Sequence, residues 1–475
     1  MRIKKLFISV FLSFTFFACF CATVAAADLR LIPPDKIAYP KLKFELPKAE
    51  RVVLENGIVL YIMEDHELPV VNLNALIRAG SIHDPEGKEG VADLTAYLMR
   101  TGGTKKLKSD EIDKRLDYLA ASASVSMHAD YASANFSVLS EDLDEGLNLL
   151  SQIFISPAFE KKKLELVVQL KKEDLRRLQD NPQRLAFREF NRLIYQNDPR
   201  GRLTSNKSLD NISRSDLIKF HRRFFHPNNI MFSITGDITK EQAIIMLTKH
   251  FGSWKKGPTA EKIPAPSANP KGGIFYLLKE IPQSTIAAGQ FAPGKHNPDY
   301  YAFTVLDFIA GSGGFNSRIF SAVRNNEGLA YSAGSFYRAH SSFGVFGAYA
   351  LTKTSSTMQT LSLINSVLDD INSKSVTLDE LSWAKQSINN GFIFSFTSAE
   401  NIARQQMGIE FQQLPADYLE KYRERIENVS PEDLKKLANT YLDKKNNVVL
   451  ILGDYKNFDK PLNQIPEPVI IKQQD

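Results

Sequence analysis

The chain has 475 residues, 43% of them hydrophobic and 24% charged, with a formal net charge of +5. That length allows two or more domains with sizeable cores, and the composition is ordinary for a globular protein. The near-neutral balance gives no electrostatic reason to invoke nucleic acid, and no P-loop, dinucleotide fingerprint or Gly-Xaa-Ser-Xaa-Gly elbow is present.

In chain order, the first feature is a positive cluster, Arg2, Lys4 and Lys5, then the apolar run LFISVFLSFTFFACFCA, then Ala25-Ala26-Ala27 before Asp28. This reads as a secretory signal peptide over residues 1–27. A lipoprotein acylated at Cys19 is the weaker alternative, because Phe16-Phe17 make a poor lipobox. Cleavage would remove both cysteines, Cys19 and Cys21, and three of the 59 basic residues, leaving 56 against 54 acids. Beyond the signal no apolar run is long enough to span a membrane. Residues 28–49 form an extension.

Gly57–Met63 and Val70–Ile77 read as strands. Ser109 starts a helix as N-cap, with an apolar period through Leu119. Lys161 to Gln179 reads as a charged amphipathic helix stopped at Asn181-Pro182. Ser213 and Ser430 cap further helices, with Asp216 and Asp433 completing capping boxes. IMFSITGD and VVLILGD each close a half as a strand.

The chain repeats itself. GIVLYIME at Gly57 answers GIFYLLKE at Gly273, 216 residues on. ISRSDLIKFHRRFFHPNNIMFSITGD, ending at Asp237, answers VSPEDLKKLANTYLDKKNNVVLILGD, ending at Asp454, 217 on. Between them, KGPTAEKIPAPSANPKGG has linker composition. The expected organisation is a first domain over 50–256, a linker over 257–272, a second domain over 273–460 and a tail over 461–475. Strands flanking a block of helices, built twice, give an α+β fold with an antiparallel-rich sheet in each half.

The stretch GVADLTAYLMR, from Gly90 to Arg100, forms a helix whose positions 93, 96 and 97 share a face. They hold Asp93, Ala96 and Tyr97. Taken alone the helix simply packs, through Val91, Leu94 and Leu98. Ala96 has no group to accept a proton, and Tyr97 would have to lose a phenolic proton of pKa about 10 to ligate as an anion. His221 and His226 are five apart, the wrong spacing for one helical face, and the other histidines are scattered.

From about Lys48 to Asp454 the chain resembles the pitrilysin/insulinase family of zinc metallopeptidases, in particular the short two-domain bacterial proteins related to mitochondrial processing peptidase. The resemblance rests on LENGIVLYIMEDHELPVVNLNALIRAGSIHDPEGKEGVADLTAYLMRTGGT, on FHPNNIMFSITGDI, and on GSGGFNSRIFSAVRNNEGLAYSAGSFY in the second half. It implies half of a clamshell chamber. In catalytic members an inverted His-Xaa-Xaa-Glu-His motif would occupy 93–97, with a third ligand about 75 residues on, near Glu173 or Asp174. Here the motif is degenerate, and Glu173 and Asp174 read as a solvated helix face.

Arg324 and Tyr331, in RNNEGLAY, resemble the Arg/Tyr pair that the family's C-terminal half contributes to substrate. Read alone they would be a surface ion pair and a core ring. Gly311-Ser312-Gly313-Gly314 resembles a glycine-rich segment that helps admit substrate in non-catalytic subunits, or it only joins two helices. The resemblance implies no metal in this chain, zinc in a homologous partner with an intact motif, a heterodimer acting on peptides, and, with the signal, the periplasm. The alternative is an inert peptide-binding or scaffold homologue.

Overall fold

The computed structural model describes residues 46–464 and 468–472. The signal segment with Cys19 and Cys21, and most of the extension to residue 49, lie outside them. The described residues belong to one compact unit.

The first half builds a six-stranded sheet from β1 (Glu50–Val53), β2 (Val59–Glu64), β3 (Val70–Ile77), β4 (Ser122–Met127), β5 (Ala132–Leu139) and β6 (Ile230–Gly236). The order is β1-β2-β6-β3-β5-β4, with only β2 and β6 parallel. The second half uses β7 (Gly273–Leu278), β8 (Gln283–Ala292), β9 (Ala330–Ala339), β10 (Gly344–Lys353), β11 (Val448–Gly453) and β12 (Val469–Ile471), ordered β12-β7-β11-β8-β10-β9. Five strands correspond one to one between the sheets. The sixth comes from opposite sides: β1 pairs antiparallel to β2, whereas β12 pairs parallel to β7. The segment expected as a tail thus supplies an edge strand.

The strands carry their burial in their sequence. IMFSITG and VVLILG are near-continuous apolar runs and are buried at every position, as befits central strands covered on both faces. SASVSM alternates exposed serines with half-buried residues, the pattern of an edge strand.

The longer first-half helices are α1 (Val91–Thr101), α2 (Ser109–Tyr118), α3 (Leu143–Ile155), α4 (Lys161–Arg177), α5 (Pro182–Tyr195), α6 (Arg214–Phe224) and α7 (Lys240–Phe251). The second half adds α8 (Tyr300–Asp307), α9 (Thr357–Ser373), α10 (Leu378–Ile393), α11 (Ala399–Phe411), α12 (Tyr418–Glu427) and α13 (Pro431–Tyr441). Two local readings need correction. Lys108, not Ser109, is the N-cap of α2. Its backbone N–H donates to Glu111, and Ser109 is the buried first helical residue. Asn181-Pro182 does more than stop α4: Asn181 accepts from Arg184 N–H as the N-cap of α5, and Pro182 occupies its first position, where a missing N–H costs nothing. Ser213 and Ser430 do form capping boxes with Asp216 and Asp433.

Each half lends a helix to the other. Leu185, Phe190 and Ile194 of α5 pack on Leu277, Ala287 and Leu450 of the second sheet. Met407 and Ala403 of α11 pack on Tyr61 and Met231 of the first. Polar ties reinforce the second contact. Glu410 accepts from Arg51 Nε (2.6 Å) and Nη2 (2.7 Å) and from the Tyr61 hydroxyl (2.6 Å). Arg78 donates to the Phe411 carbonyl at 2.9 Å and lies over its ring. No helix or strand lies between residues 254 and 272, yet that segment is fastened: Arg200 donates to the Pro264 carbonyl and Gln196 to that of Lys271.

Candidate functional site

Two clusters of side chains hold the α1-face positions and the Arg324/Tyr331 pair singled out above. The first surrounds α1. The helix starts after Gly90, whose φ of +114° only glycine adopts easily. Its first amides are capped from a distance: both carboxylate oxygens of Asp84 accept, from Gly90 N–H at 2.8 Å and Ala92 N–H at 2.7 Å. Burial pushes Asp84 up to about 7, against the pull of those two bonds. Val91, Leu94, Leu98 and Met99 face the core.

On the shared face, Ala96 is buried, while Asp93 and Tyr97 reach solvent. A lysine from α4 meets them. Lys171 Nζ lies 2.5 Å from Asp93 Oδ2 and 5.9 Å from the centre of the Tyr97 ring. Glu173 does not come to this face. It chelates Arg176 at 2.7 Å through both oxygens and also Arg177, and these cations hold it at about 2. Asp174 is exposed. The α1 face therefore offers one carboxylate, already paired with an ammonium, where a zinc site needs three or four donors and no fixed cation. These residues do not fit a zinc ion. Among the described residues no three His, Cys, Asp or Glu side chains gather as metal ligands. His221 is buried and bonded to the Phe154 carbonyl, and His226 to that of Arg223, both structural roles.

The second cluster lies where the chain returns to β9. Helix α8 loosens into a π-turn over Phe308–Ser312, and a second π-turn spans Ser321–Asn326. Single π-turns interrupt helices at a cost and concentrate at functional sites. The segment 311–314 joins these helical pieces. Gly311 is required there, because a Cβ would collide with the Ser335 backbone of β9. Asp307, pushed up to about 6 by burial, accepts from the Ser335 hydroxyl at 2.6 Å and ties α8 to the same strand. Gly328, at φ +62°, turns the chain into β9.

Arg324 and Tyr331 then stack. The guanidinium carbon sits 4.4 Å from the Tyr331 ring centre, 4.9 Å from that of Phe320 and 5.4 Å from that of Phe315, and Nη1 donates to the Tyr331 carbonyl at 3.1 Å. Neither ordinary role applies. Arg324 has no acidic partner among the described residues, and Tyr331 is 81% exposed. Its phenol is free to donate to a ligand. Phe315, 66% exposed, adds an apolar flank that went unassigned at the level of sequence. Lys171 was missed as well. The only local signal was a lysine pair beside the carboxylates of KKEDLRR.

The two clusters occupy corresponding places in the repeat. α1 packs beside β4, and the turns carrying Arg324 pack beside β9, its counterpart. No hydrogen bond, ion pair or ring contact among the described residues joins the two.

With this geometry in hand, known proteins can be compared. A sequence model of the insulinase family (peptidase family M16) matches residues 60–208, and one described as the peptidase M16 inactive domain matches 211–388. The chain belongs to the pitrilysin/insulinase family. An uncharacterized zinc protease of Rickettsia felis is 25% identical over 302 residues, 63% of this chain and 72% of that one. The non-peptidase homolog YmxG of Helicobacter pylori is 26% identical over 332 residues, 68% of this chain and 75% of the relative. Among solved structures, a peptidase M16 inactive domain from Pseudomonas fluorescens superposes with a TM-score of 0.80 at 25% identity, covering 87% of this chain and all of that one. The two homologous α+β halves are thus the half-clamshell fold of this family. No described helix is long and apolar enough to cross a membrane.

Proposed function

We propose that this chain is the non-catalytic, substrate-binding subunit of a heterodimeric zinc metallopeptidase that degrades or processes peptides. A homologous partner with an intact His-Xaa-Xaa-Glu-His carries the zinc. This chain supplies Arg324 and Tyr331. The observation that carries the reading is the exposed Tyr331 phenol, held in place by a guanidinium that has no acidic partner among the described residues. Preset N–H and O–H donors suit a peptide carbonyl and the oxyanion that develops from it. Arg324 spends only Nη1 on the Tyr331 carbonyl, which leaves Nε and Nη2 for substrate. The expected compartment is the periplasm, after cleavage before Asp28.

The test is the purified heterodimer cleaving a peptide. Tyr331→Phe should lower turnover about a hundredfold, the usual worth of one oxyanion donor. Arg324→Ala should lower it at least as much. Because Tyr331 is exposed, its substitution should leave assembly and thermal stability unchanged. Undiminished turnover would remove the assignment.

A second reading is a catalytically inert peptide-binding or scaffold homologue. It is favoured by the Helicobacter pylori relative, whose name marks it as a non-peptidase homolog. Affinity purification from the native host decides between the two. Recovery of the chain without a zinc-motif homologue, and inert toward peptides, selects the second.

A further inference from the structure

A cleft of about 660 Å³ opens on the first half, between α6, the turn after α3 and the segment after α7. Its walls carry Lys105, Arg214, Arg222, Lys255 and Lys256, and no carboxylate lines it. None of the five makes an ion pair among the described residues. Some basic residues elsewhere on the same half are paired, as Lys88 is with Asp216 and Lys172 with Asp210. Five unneutralised cations around one cleft set up a positive potential that favours an anionic ligand.

The site is also built. Arg214 is not a loose surface side chain. Its Nε donates to the Phe159 carbonyl at 2.9 Å and its Nη2 to that of Ala158 at 2.7 Å, which fixes the guanidinium with Nη1 left over. The floor holds two histidines. His221 is pushed down to about 4, first by burial and then by the charges of His226, Arg222 and Lys105. His226 is 4% exposed; it donates through Nε2 to the Arg223 carbonyl, and its Nδ1 has no partner among the described residues.

We propose that this cleft binds a small phosphate-bearing polyanion. The charge sets the sign of the ligand, and the volume sets its size, since about 300–1,000 Å³ is the range of small-molecule sites. A compact diphosphate concentrates several charges in one cleft of this size, whereas an acidic peptide spreads its charges along an extended backbone. The site is separate from Arg324 and Tyr331 and does not rest on the role given to them.

The experiment titrates the exported chain, lacking residues 1–27, with inorganic pyrophosphate by calorimetry at low and at high salt, and in parallel floats it with phosphatidylglycerol vesicles. The variant is Arg222→Ala with Lys256→Ala, both exposed. The control is Lys435→Ala with Lys445→Ala, which removes the same charge elsewhere. Circular dichroism melts check that both fold. Saturable pyrophosphate binding that weakens with salt, falls about tenfold or more in the variant and is unchanged in the control supports the site. Vesicle flotation lost only in the variant assigns a lipid headgroup as the source, and its absence assigns a free phosphate ester. Failure to bind either probe, or an equal loss in variant and control, overturns the proposal.

Discussion

At the scale of single residues, the informative substitution is a lysine. On α1 the pair Asp93–Lys171 is half-exposed, so its contribution to stability is small, of the order of 0–1 kcal/mol for such pairs. Its chemical consequence is larger. An ammonium held over the Asp93–Tyr97 face repels a divalent cation, and the repulsion grows where protein displaces water. Asp93→His with Tyr97→His places two imidazoles at i and i+4, the spacing that grips a metal. That double variant should bind zinc poorly while Lys171 remains. Adding Lys171→Ala should improve zinc affinity by about tenfold or more in a chelator-competition titration, and equal affinities would show that Lys171 does not guard the face. The helix itself was legible, because period and stripe are local. Lys171 was not, because its contact with Asp93 joins residues 78 apart in the chain.

At the scale of elements, α5 and α11 matter most. The sequence around Pro182–Tyr195 displays an amphipathic helix after an Asn-Pro start. It does not say which sheet the apolar stripe will meet. The structure places Phe190 against the second sheet, edge-on to Phe336 at 6.3 Å between ring centres. Phe190 is 2% exposed. Phe190→Ala should therefore cost about 3–5 kcal/mol, through lost burial and the cavity left behind. Urea denaturation measures it; a loss under about 1 kcal/mol would mean α5 is not a working part of the second core. The capping boxes at Ser213 and Ser430 were readable because they span three residues. The π-turn over Phe308–Ser312 was not, since it lies where Gly311 closely approaches β9 and Asp307 meets Ser335, contacts made across the fold.

At the scale of the whole molecule, the exchanged helices couple the halves. Trp254 lies in the first half and Trp383 in the second, and the chain has only these two tryptophans. In each variant keeping one of them, with phenylalanine in place of the other, the fluorescence melt should coincide with the circular dichroism melt near neutral pH, as expected of one cooperative unit. Acid should weaken the tie. Glu410 is held below the ordinary carboxylate value of 4.5, chiefly by Arg51 against the cost of burial. The folded state thus binds fewer protons than the unfolded chain there, so this stabilisation is present above pH 4.5 and is lost as pH falls through the lowered value. The melting temperature of Glu410→Gln should fall less steeply below pH 4.5 than that of the parent chain; parallel curves would mean the tie is not titrating.

The sequence by itself determined the duplication, the strands that open and close each half, the capping boxes and the positions of Asp93, Ala96, Tyr97, Arg324 and Tyr331. These depend on periodicity, on short-range hydrogen bonds and on resemblance, all of which lie along the chain. The tertiary structure alone decided that each half covers the other's sheet, that the last strand joins β7, that Lys171 rather than Glu173 meets α1, and that five cations converge on one cleft. Those outcomes bring together residues tens to hundreds of positions apart. Which apolar stripe meets which sheet, and which charge meets which, is settled by packing the whole chain at once, and local pattern carries no record of it.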